Sequence, residues 1–416
     1  MENRRGTTRP PLRVVLLVPA GLALLAGLDG ALVLLGVPAP IRADRLGDVH
    51  GQLMVLGVVG TLVALERAVA VRRTLAFASP VLLAAGSLAL LPAWPTVVGR
   101  ALHLAGTLAL VGIYLLVWRR QPVSAVAVQG AGALAAAGSA LLLLAGVPVP
   151  VVTPWFVAFL VLTVVGERLE LMRFAPPPVA VRAALVVATL LLVMGAAVAL
   201  LHPVAGGALL GVALVAQAAL LARHDVARRT VRSTGLPRFM ALAMLAGFAW
   251  LAVAGSLWLL AGAVTDGPAY DAVLHAVFLG FVMSMVIAHA PVILPAVLRR
   301  PLPYRPVMLV PLALLHVSLA FRLLAGDAWG SVTAVRVGGV ANVVAVLMFL
   351  GTAAWSVAVG PPARDAGRRR AEDEPDDGPD DVPATAVLDD ARASPAPPTD
   401  APAATSAPMS LSVVAR

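Results

Sequence analysis

The chain has 416 residues, 60% of them hydrophobic and only 13% charged, against about a quarter charged in ordinary soluble domains. That excludes an ordinary soluble enzyme, and zero cysteines exclude a disulfide scaffold, thiolate zinc, iron–sulfur clusters and cysteine nucleophiles. The net charge of +9 is no nucleic-acid signal, because all 31 basic residues are arginine, with +14 on residues 1–357 and −5 on residues 358–416.

A bilayer core takes about 20 apolar residues per helix. Twelve such runs succeed one another, at 12–37, 48–71, 75–94, 100–118, 123–148, 150–172, 179–201, 203–222, 239–263, 271–297, 305–326 and 332–357. The sequence thus predicts an all-α polytopic membrane protein, with residues 1–357 as one twelve-helix transmembrane domain. The first run is longer than the roughly 7–15 residues of a signal h-region, so it reads as a span.

Arginines set the expected orientation. Twenty of the 25 in this domain fall at the N-terminus or in alternate loops, among them Arg4, Arg72, Arg119, Arg173, Arg228 and Arg300. The other five, Arg42, Arg45, Arg100, Arg322 and Arg336, fall on the opposite side. Both termini are therefore expected in the cytoplasm of a bacterial-type plasma membrane. The Arg-rich loop at 223–238 reads as a contact to anionic membrane lipid. Residues 358–416 carry an acidic run and then Ala, Pro, Ser and Thr. They have nothing with which to bury a core, which predicts a disordered cytoplasmic tail.

Ionisable groups inside such an apolar domain are costly unless paired. The second run holds His50 near its outer end and Glu66-Arg67 near its inner end. The sixth ends in Glu167, Arg168 and Glu170, the tenth holds His275 and His289, and the eleventh holds His316 and Arg322. His275 and His289 are 14 residues apart, close to four α-helical turns, which predicts one shared face. Aligning Gly57 with Gly280 brings Glu66 onto His289, and Glu167-Arg168 repeats Glu66-Arg67. These marks point to three pseudo-equivalent four-helix units.

Two constellations emerge. The outer one is His50 with His275, on two helices. Neutral imidazoles are the usual axial ligands of haem iron, and Arg322 and Arg336 are candidate partners for the propionates. The competing reading is two interfacial histidines bonded to loops. The inner one is Glu66, Glu167, His289 and His316, a donor set suited to iron, zinc or copper. Its competing reading is a set of Glu–Arg pairs that neutralise one another.

The stretches HGQLMVLGVVGTLVALERAVAV (50–71) and HAVFLGFVMSMVIAHAPVIL (275–294) resemble the NnrS-type family of twelve-helix membrane proteins. The layout also resembles subunit I of the haem–copper oxidases. The resemblance implies haem b held by His50 and His275, propionates near Arg322 and Arg336, a copper or iron cofactor, and a role in redox, sensing or nitrogen-oxide handling with an unnamed redox partner. It departs from the oxidase pattern where copper histidines would stand. His275 is followed by AVF, and the sixth and seventh runs carry no histidine. Oxygen or nitric-oxide reduction by the oxidase route is therefore not expected. Two other functions stay open, a proton-coupled twelve-helix transporter without a cofactor and a structural membrane protein.

Overall fold

The computed structural model describes residues 12–360 except Ala93, Ala175 and Ala263. The tail expected to be disordered lies, from residue 361 onward, outside the described residues. Within them the protein is all-helical, with no strand. A short turn, Leu12–Val15, precedes the long helices.

Among the described residues eleven helices are long and apolar enough to cross a bilayer. In chain order they are α1 (Leu17–Leu34), α2 (Asp44–Val71), α4 (Thr96–Arg120), α5 (Ser124–Leu144), α6 (Val149–Leu171), α7 (Val179–Val198), α8 (Pro203–His224), α9 (Gly235–Ala261), α10 (Gly267–Leu298), α11 (Pro306–Ala328) and α12 (Val332–Val359). The run expected at 75–94 forms α3, Thr74–Leu90, which is shorter. At 1.5 Å per residue it reaches about 25 Å, at the low end of what a bilayer core needs. This is a multi-pass membrane protein.

Its outer shell explains why. Large apolar side chains stand exposed all over the helices, Leu22, Leu108, Leu190 and Leu260 among them, a pattern that lipid tolerates and water does not. Exposed tryptophans sit near both ends, Trp94 and Trp329 at one, Trp118 and Trp355 at the other. That is where amphipathic rings meet the headgroup layer. "Outer" and "inner" below name these two ends.

Consecutive helices are neighbours, joined by short connections. α6 is the most enclosed and α4 and α7 the least. Small residues let the helices approach closely. A Cβ on Gly57 would meet the Ser87 hydroxyl, and one on Gly280 would meet the ring of Trp250.

α2 and α10 share an irregularity. Each starts as α-helix, passes through eight residues of wider π-helical turns and resumes as α-helix. The π segments are Leu53–Gly60 and Ala276–Met283. Each helix then ends at an arginine in the left-handed region, Arg72 at φ 55° and Arg299 at φ 54°, which is uncommon for a residue with a side chain. The offset between the π segments is the one that aligns Gly57 with Gly280, so the α2/α10 likeness extends to backbone shape. α6 is α-helical throughout Val149–Leu171, and its likeness to the other two rests on Glu167 and Arg168. The π segment also falls between His275 and His289. Wider turns rotate less per residue, so the whole-turn arithmetic that put both on one face does not hold.

Candidate functional site

The outer cluster starts from two imidazoles. His50 lies in the first half of α2, and its Nδ1 is 2.6 Å from the carbonyl oxygen of Gly27 in α1. A carbonyl only accepts, so Nδ1 carries the proton and Nε2 keeps a free lone pair. His275 closes the first α-helical part of α10. Its Nδ1 is 2.8 Å from the Asp271 carbonyl oxygen and 3.2 Å from Asp271 Oδ1, which fixes the same tautomer. Among the described residues, neither Nε2 makes a hydrogen bond. His50 lies within electrostatic reach of both His275 and Arg322.

Arg322 is buried and grips Asp271 with two bonds, Nε to Oδ2 at 2.9 Å and Nη2 to Oδ1 at 2.7 Å. Gly338 and Gly339 of α12 make room for it, since a Cβ on either would press against the Arg322 side chain. Asp327 lies within electrostatic reach of both Asp271 and Arg322. From the sequence, Arg322 is expected at a propionate. The structure instead commits two of its donors to Asp271, which in turn holds His275. Arg336 donates Nε to the Leu35 carbonyl at the end of α1, at 3.2 Å, and Tyr270 joins the α6 residue Thr153 by a 3.1 Å hydroxyl contact.

The inner four residues do not form a single ligand set. Arg67 Nη2 is shared by Glu66 Oε1 at 2.8 Å and Glu167 Oε1 at 3.4 Å. His289 gives its Nδ1 proton to the Met285 carbonyl at 2.7 Å, and its Nε2 accepts from Arg168 Nη2 at 2.9 Å. His316 Nδ1 accepts from Trp250 Nε1 at 3.0 Å. Among the described residues no group of three or more His, Asp or Glu is placed to hold a metal ion. The physical reason is competition for the nitrogens: Arg168 and Trp250 hold the lone pairs of His289 and His316, so the two glutamates have no imidazole left to share a metal with.

His103 and Asp29 are bonded within the bundle and its connections. His103 is fully enclosed, accepts from Gln52 Nε2 at 2.8 Å and faces Ser87 Oγ at 3.0 Å and the Leu83 carbonyl at 3.2 Å. Asp29, isolated in the sequence, accepts from the Ile41 amide at 3.0 Å and ties down the α1–α2 connection. His202 is exposed and His224 half-buried. Asp225, just past α8, accepts from the Ala227 amide at 2.8 Å, and burial pushes its carboxyl above the usual range.

Sequence reasoning missed Asp271 and Asp327. A signal for Asp271 existed, because it stands one helical turn before His275, the spacing at which an acid and an imidazole meet on a helix.

These features define a multi-pass helical membrane protein with two tied imidazoles at one end and an arginine–carboxylate cluster at the other. The chain belongs to the family described as domain of unknown function DUF8744, which matches residues 13–358. No curated protein and no solved structure matches it.

Proposed function

We propose that this protein binds haem b in the outer half of the membrane, with His50 and His275 supplying the two axial nitrogens. One observation carries the reading: both rings are fixed through Nδ1 and free at Nε2, which is how proteins prepare histidine for a metal. His275 has the fuller support, because Arg322 orients Asp271 and Asp271 orients the ring. An acidic partner on Nδ1 also makes Nε2 a better donor. Haem with two nitrogen ligands supplies one-electron chemistry when bound. The propionates fall to the Arg336 and Arg322 nitrogens that Leu35 and Asp271 leave uncommitted.

The NnrS-like stretches support a redox or nitrogen-oxide role and an outside redox partner. The arginine distribution supports a bacterial-type plasma membrane with both ends of the domain at the cytoplasmic side. The test is to purify the protein with haem supplied during expression and to record oxidised and reduced visible spectra. A sharp reduced b-type spectrum, lost in His50→Ala and in His275→Ala, is expected. Haem content unchanged in both variants overturns the reading.

The second reading is a proton-coupled transporter, favoured by Glu66 and Glu167 at an inner cavity and by Pro291 and Pro295 within α10. Proteoliposome uptake abolished by Glu66→Gln would select it.

A further inference from the structure

The inner halves of α1, α2, α6, α10 and α12 line a partly open cavity of about 340 Å³. Its wall is almost wholly apolar, with Leu24, Val59, Leu160, Val286 and Phe349 as examples. Gly21 of α1 also lines it, and a Cβ built there meets nothing within 4 Å. The cavity begins at Val58 and Val282, inward of His50 and His275 on the same helices. Its chemistry is independent of whether haem binds between those histidines.

Among the described residues four polar ones line this space, and two of them offer it nothing. The Thr163 hydroxyl donates to the Phe159 carbonyl, and both His289 nitrogens are committed to Met285 and Arg168. The carboxylates differ. Glu66 and Glu167 each give one oxygen, Oε1, to the same Arg67 nitrogen. Among the described residues neither Oε2 has a hydrogen-bond partner. Their side chains keep 28% and 22% of their surface open. The cavity therefore offers an apolar body and, at one side, two free hydrogen-bond acceptors.

We propose that this cavity binds a neutral lipophilic molecule whose head donates hydroxyl hydrogen bonds to Glu66 and Glu167, of the hydroquinone or prenyl-alcohol class. Each alternative head fails on charge or on donors. A fatty acid or phospholipid brings an anion to two carboxylates that share one guanidinium nitrogen. A headless hydrocarbon leaves both oxygens unsatisfied in an apolar space. The volume suits a single small ligand.

The test uses the full-length protein in phosphatidylcholine nanodiscs. The probes are a prenylated hydroquinone held reduced, its matching quinone, farnesol and palmitate, with affinity measured by titration. The hydroquinone or farnesol should bind at one site, roughly ten-fold or more tightly than quinone or palmitate, the worth of one or two hydroxyl–carboxylate bonds. Which of the two binds identifies the head group. The Glu66→Gln/Glu167→Gln pair adds amide donors and should move preference from hydroquinone toward quinone. Gly21→Leu, which grows into open space, should abolish binding while the melting curve stays unchanged. Equal affinity for all four probes, or binding that survives Gly21→Leu, overturns the proposal. If the double Gln variant fails to fold, the probe ranking on the wild type and the Gly21→Leu result still decide it.

Discussion

Arg322 in α11 holds both carboxylate oxygens of Asp271 in α10, at 2.9 and 2.7 Å, and the same aspartate touches His275. One ion pair therefore sets the position of a candidate ligand on another helix. Removing the arginine alone leaves the carboxylate and its neighbour Asp327 without a counter-charge. Arg322→Ala should cost about 2–3 kcal/mol, less than for a fully buried pair because Asp271 is partly open. Thermal unfolding in detergent reads this directly. Arg322→Lys should recover only part of it, because an ammonium cannot reproduce the two-bond fork. A melting temperature unmoved in Arg322→Ala would show that the pair contributes nothing.

The histidines should separate by experiment. His103 makes its contacts inside the α2, α3 and α4 cluster with Gln52, Ser87 and Leu83. His103→Ala leaves a cavity and unsatisfied partners, so it should lower stability by about 2–4 kcal/mol. On the proposed function it should leave haem per folded protein unchanged, whereas His50→Ala should do the reverse. Haem loss in His103→Ala at full folded yield would assign the ligand differently.

A buried glycine and a half-buried one should behave oppositely. Gly280→Ala places a methyl group against Trp250, whose indole holds His316. The ring must shift, at about 1–3 kcal/mol, and tryptophan emission should change as its hydrogen bond loosens. Gly21→Ala meets open space and should leave both stability and emission alone. Equal effects at the two positions would mean that α9 and α10 pack more loosely at Gly280 than its contact with Trp250 implies.

Asp225 gives a pH signature outside the spans. Burial raises its carboxyl above the usual range, opposed by the Ala227 amide and by Arg168. A folded value above the unfolded one means that stability is fully present below the unfolded value. It is then lost as pH rises through the folded value. Asp225→Asn keeps an oxygen for the Ala227 amide and carries no charge. Its stability relative to wild type should therefore improve as pH climbs through and beyond the carboxylate range. Chemical unfolding at a series of pH values checks this, and a constant difference would contradict it.

Much of the fold was readable because a bilayer imposes a simple demand. Helices must be long and apolar, so the runs around α1, α6 and α12 announce themselves, and so does the membrane class. Charges inside such runs are conspicuous, which is why His50, His275, Glu66 and Glu167 stand out in the sequence by themselves. Even the α2/α10 likeness shows in the Gly57 and Gly280 alignment.

Tertiary structure decided what those charges do, because partner choice depends on distances between helices that no single run encodes. It tied His50 to Gly27 and His275 to Asp271, and left both Nε2 atoms free. It drew Arg322 to Asp271, gave His289 to Arg168 and His316 to Trp250, and so dispersed the inner set expected to share a metal. The π turns of α2 and α10 were equally invisible, since no residue in LMVLGVVG or AVFLGFVM forbids an α-helix. Sequence alone determined that buried ionisable groups must find partners, and only the folded bundle determined which.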